Sequence, residues 1–236
     1  MDRLEKKMVG GQLTVKDVCQ KCNNGVLSEL DSYGLELFKR YFGRIAETGE
    51  SVTFDYDYDR LLRWILKLSF NSARANNAND LQHLQKHRWY ILGQRKRPAR
   101  LALYLTLVFQ HAVDEDTRAR ATQLGAKISD LHTPDMLRIG RFTIQDSAWT
   151  PLVSRTTILQ SFFFSFFWVS EKAPGSEITR LKGLFTKHQE NAVFLAPDRE
   201  RVRVSAGMSS SDAITTHIQK NLTHYAKMFP HLYPEE

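Results

Sequence analysis

Cysteine is nearly absent: two residues in 236. That excludes a disulfide framework and leaves either a protein of a reducing compartment or a metal clip. Glycine (12) and proline (7) are too sparse for a collagen-like chain. Long apolar runs are missing as well. The most apolar stretch, Ile158 to Val169 (ILQSFFFSFFWV), falls far short of the roughly 20 residues a membrane-spanning helix needs. The opening MDRLEKKMVGG is charged with no apolar segment behind it, so no secretory signal is read there. A soluble, cytoplasmic protein with no membrane partner is the expectation.

What is present is an ordinary globular mixture, 42% hydrophobic and 25% charged, with a basic excess: 33 Lys+Arg against 26 Asp+Glu give a formal charge of +7. A basic surface favours polyanionic partners. The charge is concentrated in two places. Arg95, Lys96, Arg97 and Arg100 lie in one short segment, and Arg199, Arg201 and Arg203 in another. In Arg201-Val-Arg-Val204 a period of two puts both arginines on one strand face, able to meet phosphates. A solvated sheet face and a turn would read the same way.

The chain reads as α+β, without the βα alternation of doubly wound folds. Residues 1–50 form a first unit: a turn at Gly10-Gly11, a strand over Gln12–Val18, a knuckle over Cys19–Gly25, and a helix from Ser28, its expected cap, through Leu30, Tyr33, Leu37 and Tyr41. Residues 51–236 form the body, with a division near 131–135. It opens with a strand over Val52–Tyr58 and an apolar helix capped by Asp59. Leu81–Trp89 is read as helical, Leu101–Phe109 as a strand, and Asp114–Gly125 as a helix or charged surface segment. Met136–Ile144, Thr156–Val169, Val193–Leu195 and Arg201–Ser205 carry strand residues in a mainly antiparallel region. A closing helix from Ser209–Ser211 runs through Ile214, Ile218, Leu222, Tyr225 and Phe229 to Pro230.

Cys19-Gln-Lys-Cys22 has the spacing of half a zinc knuckle, and structural zinc takes four ligands. The same spacing serves a redox pair, although the βαβ setting of such sites is missing. Two ordinary cysteines at a helix start would also fit. Gly10-Gly11-Gln-Leu-Thr-Val-Lys-Asp-Val-Cys19-Gln-Lys-Cys22-Asn23-Asn24-Gly25, followed by Leu30-Asp31, resembles the second half of the HNH endonuclease motif. The resemblance implies a ββα finger, and it leaves the C-terminal half in no known family. It implies Cys19 and Cys22 as structural zinc ligands, and Asn23 and Asn24 as residues that set the finger geometry. A catalytic divalent metal such as magnesium would stabilise charge on the scissile phosphate while a histidine activates water.

The acidic-His pair of that motif falls on Asp2-Arg3, and arginine, with a pKa above about 12, is no general base. The partner Cys-x-x-Cys would lie earlier still. A shortened finger or a non-cleaving scaffold is therefore implied, with half of the metal ligands missing.

Other patterns are weaker. Asp55, Asp57 and Asp59 would share one face of an extended strand and could bind a cation, or form an acidic edge at a helix start. His83 and His87 share a helical face without a following Glu; His217 and His224 are read as surface or interface residues. The aromatic run Phe162–Trp168 is read as a strand buried on both faces, with self-association as the alternative. The functional expectation is a DNA-directed, HNH-nuclease-like protein, truncated or inactive as a nuclease, that binds nucleic acid through Arg95, Lys96, Arg97, Arg100, Arg201 and Arg203. The alternative is a non-catalytic protein-interaction subunit of a larger assembly.

Overall fold

Two segments that are apolar at almost every position meet at the centre of the fold. In the computed structural model, β2 (Leu101–Phe109) and β7 (Phe162–Trp168) are buried along nearly their whole length. They pair antiparallel from Leu101↔Trp168 to Leu107↔Phe162. Leu101, Leu103, Leu105 and Leu107 join Phe162, Phe164 and Phe166 in one core. Ala102, Tyr104 and Phe167 face a second. Successive side chains of a strand point to opposite faces, so a central strand covered on both sides is apolar throughout. The structure describes residues 18–112, 115–123, 131–132, 134–144, 152–169, 173–189, 191–210 and 212–213.

The fold is α+β. Around that pair stand β1 (Ser51–Asp55), β5 (Arg138–Ile144), β6 (Leu152–Leu159), β8 (Val193–Leu195) and β9 (Arg201–Ser209), in the order β1-β9-β2-β7-β6-β5. β8 and β9 share one edge of β2. β8 pairs with Leu103–Leu105, and β9 runs parallel to β2 from Leu107 to Phe109. The other pairings in this sheet are antiparallel. β3 (His111–Ala112) and β4 (Leu131–His132) form a separate short pair.

One face of the sheet carries α1 (Gln20–Cys22), α2 (Ser28–Leu37) and α3 (Tyr58–Ala75), with wider π-helical turns at Asn23–Leu27 and Phe38–Phe42. Leu30, Leu37 and Phe42 meet Leu61, Leu62 and Ile65 in the same core as the sheet. α2 approaches α3 closely: a Cβ placed on Gly34 would lie 2.3 Å from the Trp64 indole, which itself stacks on Phe42 at 6.4 Å. α4 (Leu81–Gln85), α5 (Arg88–Ile91) and α6 (Glu115–Gln123) follow. On the opposite face α7 (Gly175–His188) sets Phe185 against Tyr104 and Phe167 at 4.5 and 5.7 Å.

Several local expectations need correction. Thr156–Val169 is a hairpin of β6 and β7, turned at Gln160-Ser161, with Gln160 at φ 50°. The cap of α3 is Asp57, whose Oδ1 accepts from Arg60 N–H at 3.0 Å, in place of Asp59. Ser28 caps nothing, because the chain is already helical there and Cys19 holds the cap position upstream. α7 was not expected at all. Ser209 does start a helix, its Oγ accepting from Asp212 N–H at 3.0 Å. The remainder of the expected closing helix, with His217 and His224, lies outside the described residues, as do Asp2, Arg3, the expected Gly10-Gly11 turn and all of the expected first strand except Val18.

Candidate functional site

Cys19 and Cys22 sit where the described chain enters its first helical turn. Cys19 has extended backbone, φ −62° and ψ 146°, so its side chain folds back over the turn and Sγ accepts from Cys22 N–H at 3.3 Å. Cys19 is exposed and Cys22 half-buried; both are free thiols. Cys22 packs against the main core beside Val26. Hydrogen bonding from the Cys22 thiol and then from its N–H lowers the Cys19 pKa, while the same thiol contact and desolvation raise that of Cys22. Asn23 and Asn24 follow, both exposed, with Asn23 N–H bonded to Cys19 O at 2.9 Å. Asn23 is right-handed helical and the chain breaks its helical course at Gly25, φ −102° and ψ −114°, so no left-handed Asn-Asn-Gly turn forms.

The HNH resemblance asks for a structural zinc and a second divalent metal. The pair supplies two thiolates of the four a closed zinc site needs. No group of three or more His, Cys, Asp or Glu suited to a metal occurs among the described residues. The described residues therefore do not complete a site for either ion.

A wide concavity lies elsewhere. A cleft of about 1180 Å³ opens between α2, the β1–α3 junction and the loop leading into β9. Tyr33, Tyr56 and Tyr58 line it, with Glu36, Asp57, Asp198 and Glu200 among its acids and Arg40, Arg199 and Arg201 among its bases. Asp55 sits at the end of β1 and is clamped from two sides, by Arg40 from α2's extension and by Arg201 from β9. Its carboxyl is held below the usual range, first by the Arg201 hydrogen bond. Burial pushes the Tyr33 and Tyr58 phenols up to about 12, so both keep their protons. Arg60 lies over the Tyr33 ring at 4.5 Å and Arg97 over Tyr58 at 5.2 Å. Arg97 also reaches Asp59 at 3.3 Å, and Tyr90 donates to the same carboxylate at 2.6 Å.

The acidic run is thus distributed among separate tasks: Asp55 in a double ion pair, Asp57 as a cap, Asp59 bonded to Tyr90 and Arg97. Of the basic clusters, the second lines the cleft through Arg199 and Arg201, and the first reaches two of its lining residues, Asp59 and Tyr58, through Arg97. Arg97 and Arg201 each hold a carboxylate of the cleft wall, and Arg95 and Lys96 stay exposed in the loop before β2. Arg203 is exposed on β9, paired across to Thr53. Arg100 is half-buried and donates to Ala173 O, a task within the fold. Arg40 and Arg60 were missed from sequence, because nothing in α2 or α3 signals that their exposed faces border a cleft. No helix among the described residues is long and apolar enough to cross a membrane. Comparison with family models, curated proteins and solved structures returns no match.

Proposed function

We propose that the chain is a DNA-directed protein of HNH descent that holds nucleic acid without cutting it. One observation carries the binding reading: Arg40, Arg199 and Arg201 line a tyrosine-lined cleft, and Arg97, about a hundred residues before Arg201 in sequence, holds two of its lining residues, Asp59 and Tyr58. Arginine forks and aromatic faces suit a phosphate backbone and unstacked bases. Arg201 uses Nε for Asp55 and stays 70% exposed, while Arg40 stays 62% exposed. Each can therefore share its remaining donors with a phosphate. The HNH part of the reading rests on the Gly10–Asp31 sequence. The substitution of Arg3 for the expected base argues for a scaffold that does not cleave.

Mobility shift on a short DNA duplex and on its single strand, across a salt series, tests the reading. Binding should weaken with salt, and Arg95→Ala with Arg97→Ala should flatten the salt slope by about 1 for each phosphate contact removed. An unchanged slope, or no binding at moderate salt, counts against it. Incubating plasmid DNA with magnesium or manganese tests the second clause, and any nicking overturns it.

The acids of the cleft favour a second reading. Glu36, Asp57, Asp198 and Glu200 would meet a basic segment of a protein partner as readily as the rim arginines would meet phosphate. Absence of any nucleic-acid shift would select this interaction-subunit reading.

A further inference from the structure

The geometry of Cys19 and Cys22 points to a thiol–disulfide exchange site whose substrates are disulfides of small thiols. This inference stands apart from the nucleic-acid reading. The two sulfurs are not equivalent. Cys19 is exposed, at the cap position of the first turn, with extended backbone that brings its Sγ back over Cys22. Cys22 is half-buried and is held against the core beside Val26. An accessible attacking sulfur and an anchored sulfur one turn away are the two parts that exchange requires. The Cys22 N–H, 3.3 Å from Cys19 Sγ, supplies a fixed donor for a thiolate there.

The chemistry balances with a small-molecule disulfide as the oxidant. The Cys19 thiolate attacks one sulfur of RS–SR, forms a mixed disulfide and expels RS⁻, which takes a proton from water. Cys22 then gives up its proton, and its thiolate attacks Cys19 Sγ. The intramolecular bond closes and the second RS⁻ leaves. Two protein thiols lose two electrons, and the small disulfide becomes two thiols. The reverse sequence reduces the pair. The short connection, with Cys22 already one turn away, favours closure over a second mixed disulfide.

The full chain is incubated with oxidised glutathione at neutral pH, and intact mass is followed in time. The wild type should lose the mass of two hydrogens, with at most a transient glutathionyl adduct. Cys22→Ser should accumulate a lasting adduct at Cys19, and Cys19→Ser should react at least about tenfold more slowly. Two stable adducts on the wild type, or no reaction, overturns the assignment. So do equal rates for the two single variants. A zinc ion seen by native mass spectrometry that blocks both thiols until a chelator removes it also overturns it, since the pair would then be a metal ligand. The wild-type mass decides the question even if a variant folds poorly.

Discussion

Arg155 and Asp80 form a bidentate ion pair inside the fold, Nε to Oδ2 at 2.8 Å and a terminal guanidinium nitrogen to Oδ1 at 2.6 Å, both side chains 3% exposed. Arg155 lies on β6, at the start of its pairing with β7, and Asp80 closes the loop after α3. A further contact from Arg155 reaches Ser69 O at 3.4 Å. The pair therefore fastens the far end of α3 to the sheet. Asp80→Ala leaves a charged guanidinium buried without its partner and should cost about 3–5 kcal/mol. Urea denaturation of Asp80→Ala beside Asp80→Leu/Arg155→Met measures it. The double variant, which removes both charges, should recover most of the loss; equal instability of the two would show that packing, and not charge, is at stake.

The same pair sets an acid limit. Burial raises the Asp80 carboxyl, the hydrogen bonds and charge of Arg155 together with the nearby Arg141 charge lower it, and the net shift is downward. A carboxylate depressed in the folded state contributes stability that is complete above its unfolded pKa, about 4, and is lost as pH falls through the folded value. The chain should hold a level urea midpoint above about pH 5 and lose stability steadily below about pH 4. Asp80→Asn should flatten that acid arm. An arm as steep as the wild type's would assign it to other carboxylates.

On the proposed function, Asp55 competes with phosphate for the two guanidiniums it holds, Arg40 and Arg201. Asp55→Asn should release Arg40 and Arg201 and tighten binding to DNA on the order of tenfold at low salt, with the gain fading as salt rises. Fluorescence anisotropy with a labelled oligonucleotide reads this directly. Weaker binding would mean that the ion pairs position the arginines and do not compete for them.

Gly34 is fixed by its neighbour. The Trp64 indole fills the space where a side chain would stand, so Gly34→Ala should destabilise the fold by about 1–3 kcal/mol through overpacking. Thermal unfolding of the single variant and of Gly34→Ala/Trp64→Leu separates the causes. Overpacking predicts that the second change offsets part of the first.

Legibility in the sequence followed the range of the interactions. LALYLTLVF and RVRV could be read as strands because a period of two, or continuous apolarity, is local. α3 was legible for the same reason, its apolar residues recurring at helical spacing. The hairpin inside Thr156–Val169 was not, since Gln160-Ser161 carries no Gly, Pro, Asn or Asp and both flanks are apolar. α7 was hidden by Gly175 and Gly183, which interrupt its pattern. Asp80 belongs to an ANNAND segment that reads as loop, and its partner is 75 positions away. The cleft was illegible for that same reason: Asp55 and Arg201 meet across 146 positions only because β9 returns beside β1.

The hydroxyls of Tyr33 and Tyr41 accept from the N–H groups of Asp57 and Asp55, each at 3.0 Å. Those donors lie along the border of the sheet, where β1 has, among the described residues, β9 on one side only. An unsaturated border is a template on which a foreign strand can add, the first step of amyloid-type growth. Two phenols carried on the neighbouring helical segment saturate that template near its C-terminal end. Asp55 and Asp57, just past the uncharged run Ser51-Val-Thr-Phe54, thus offer no free backbone donor to a recruited strand.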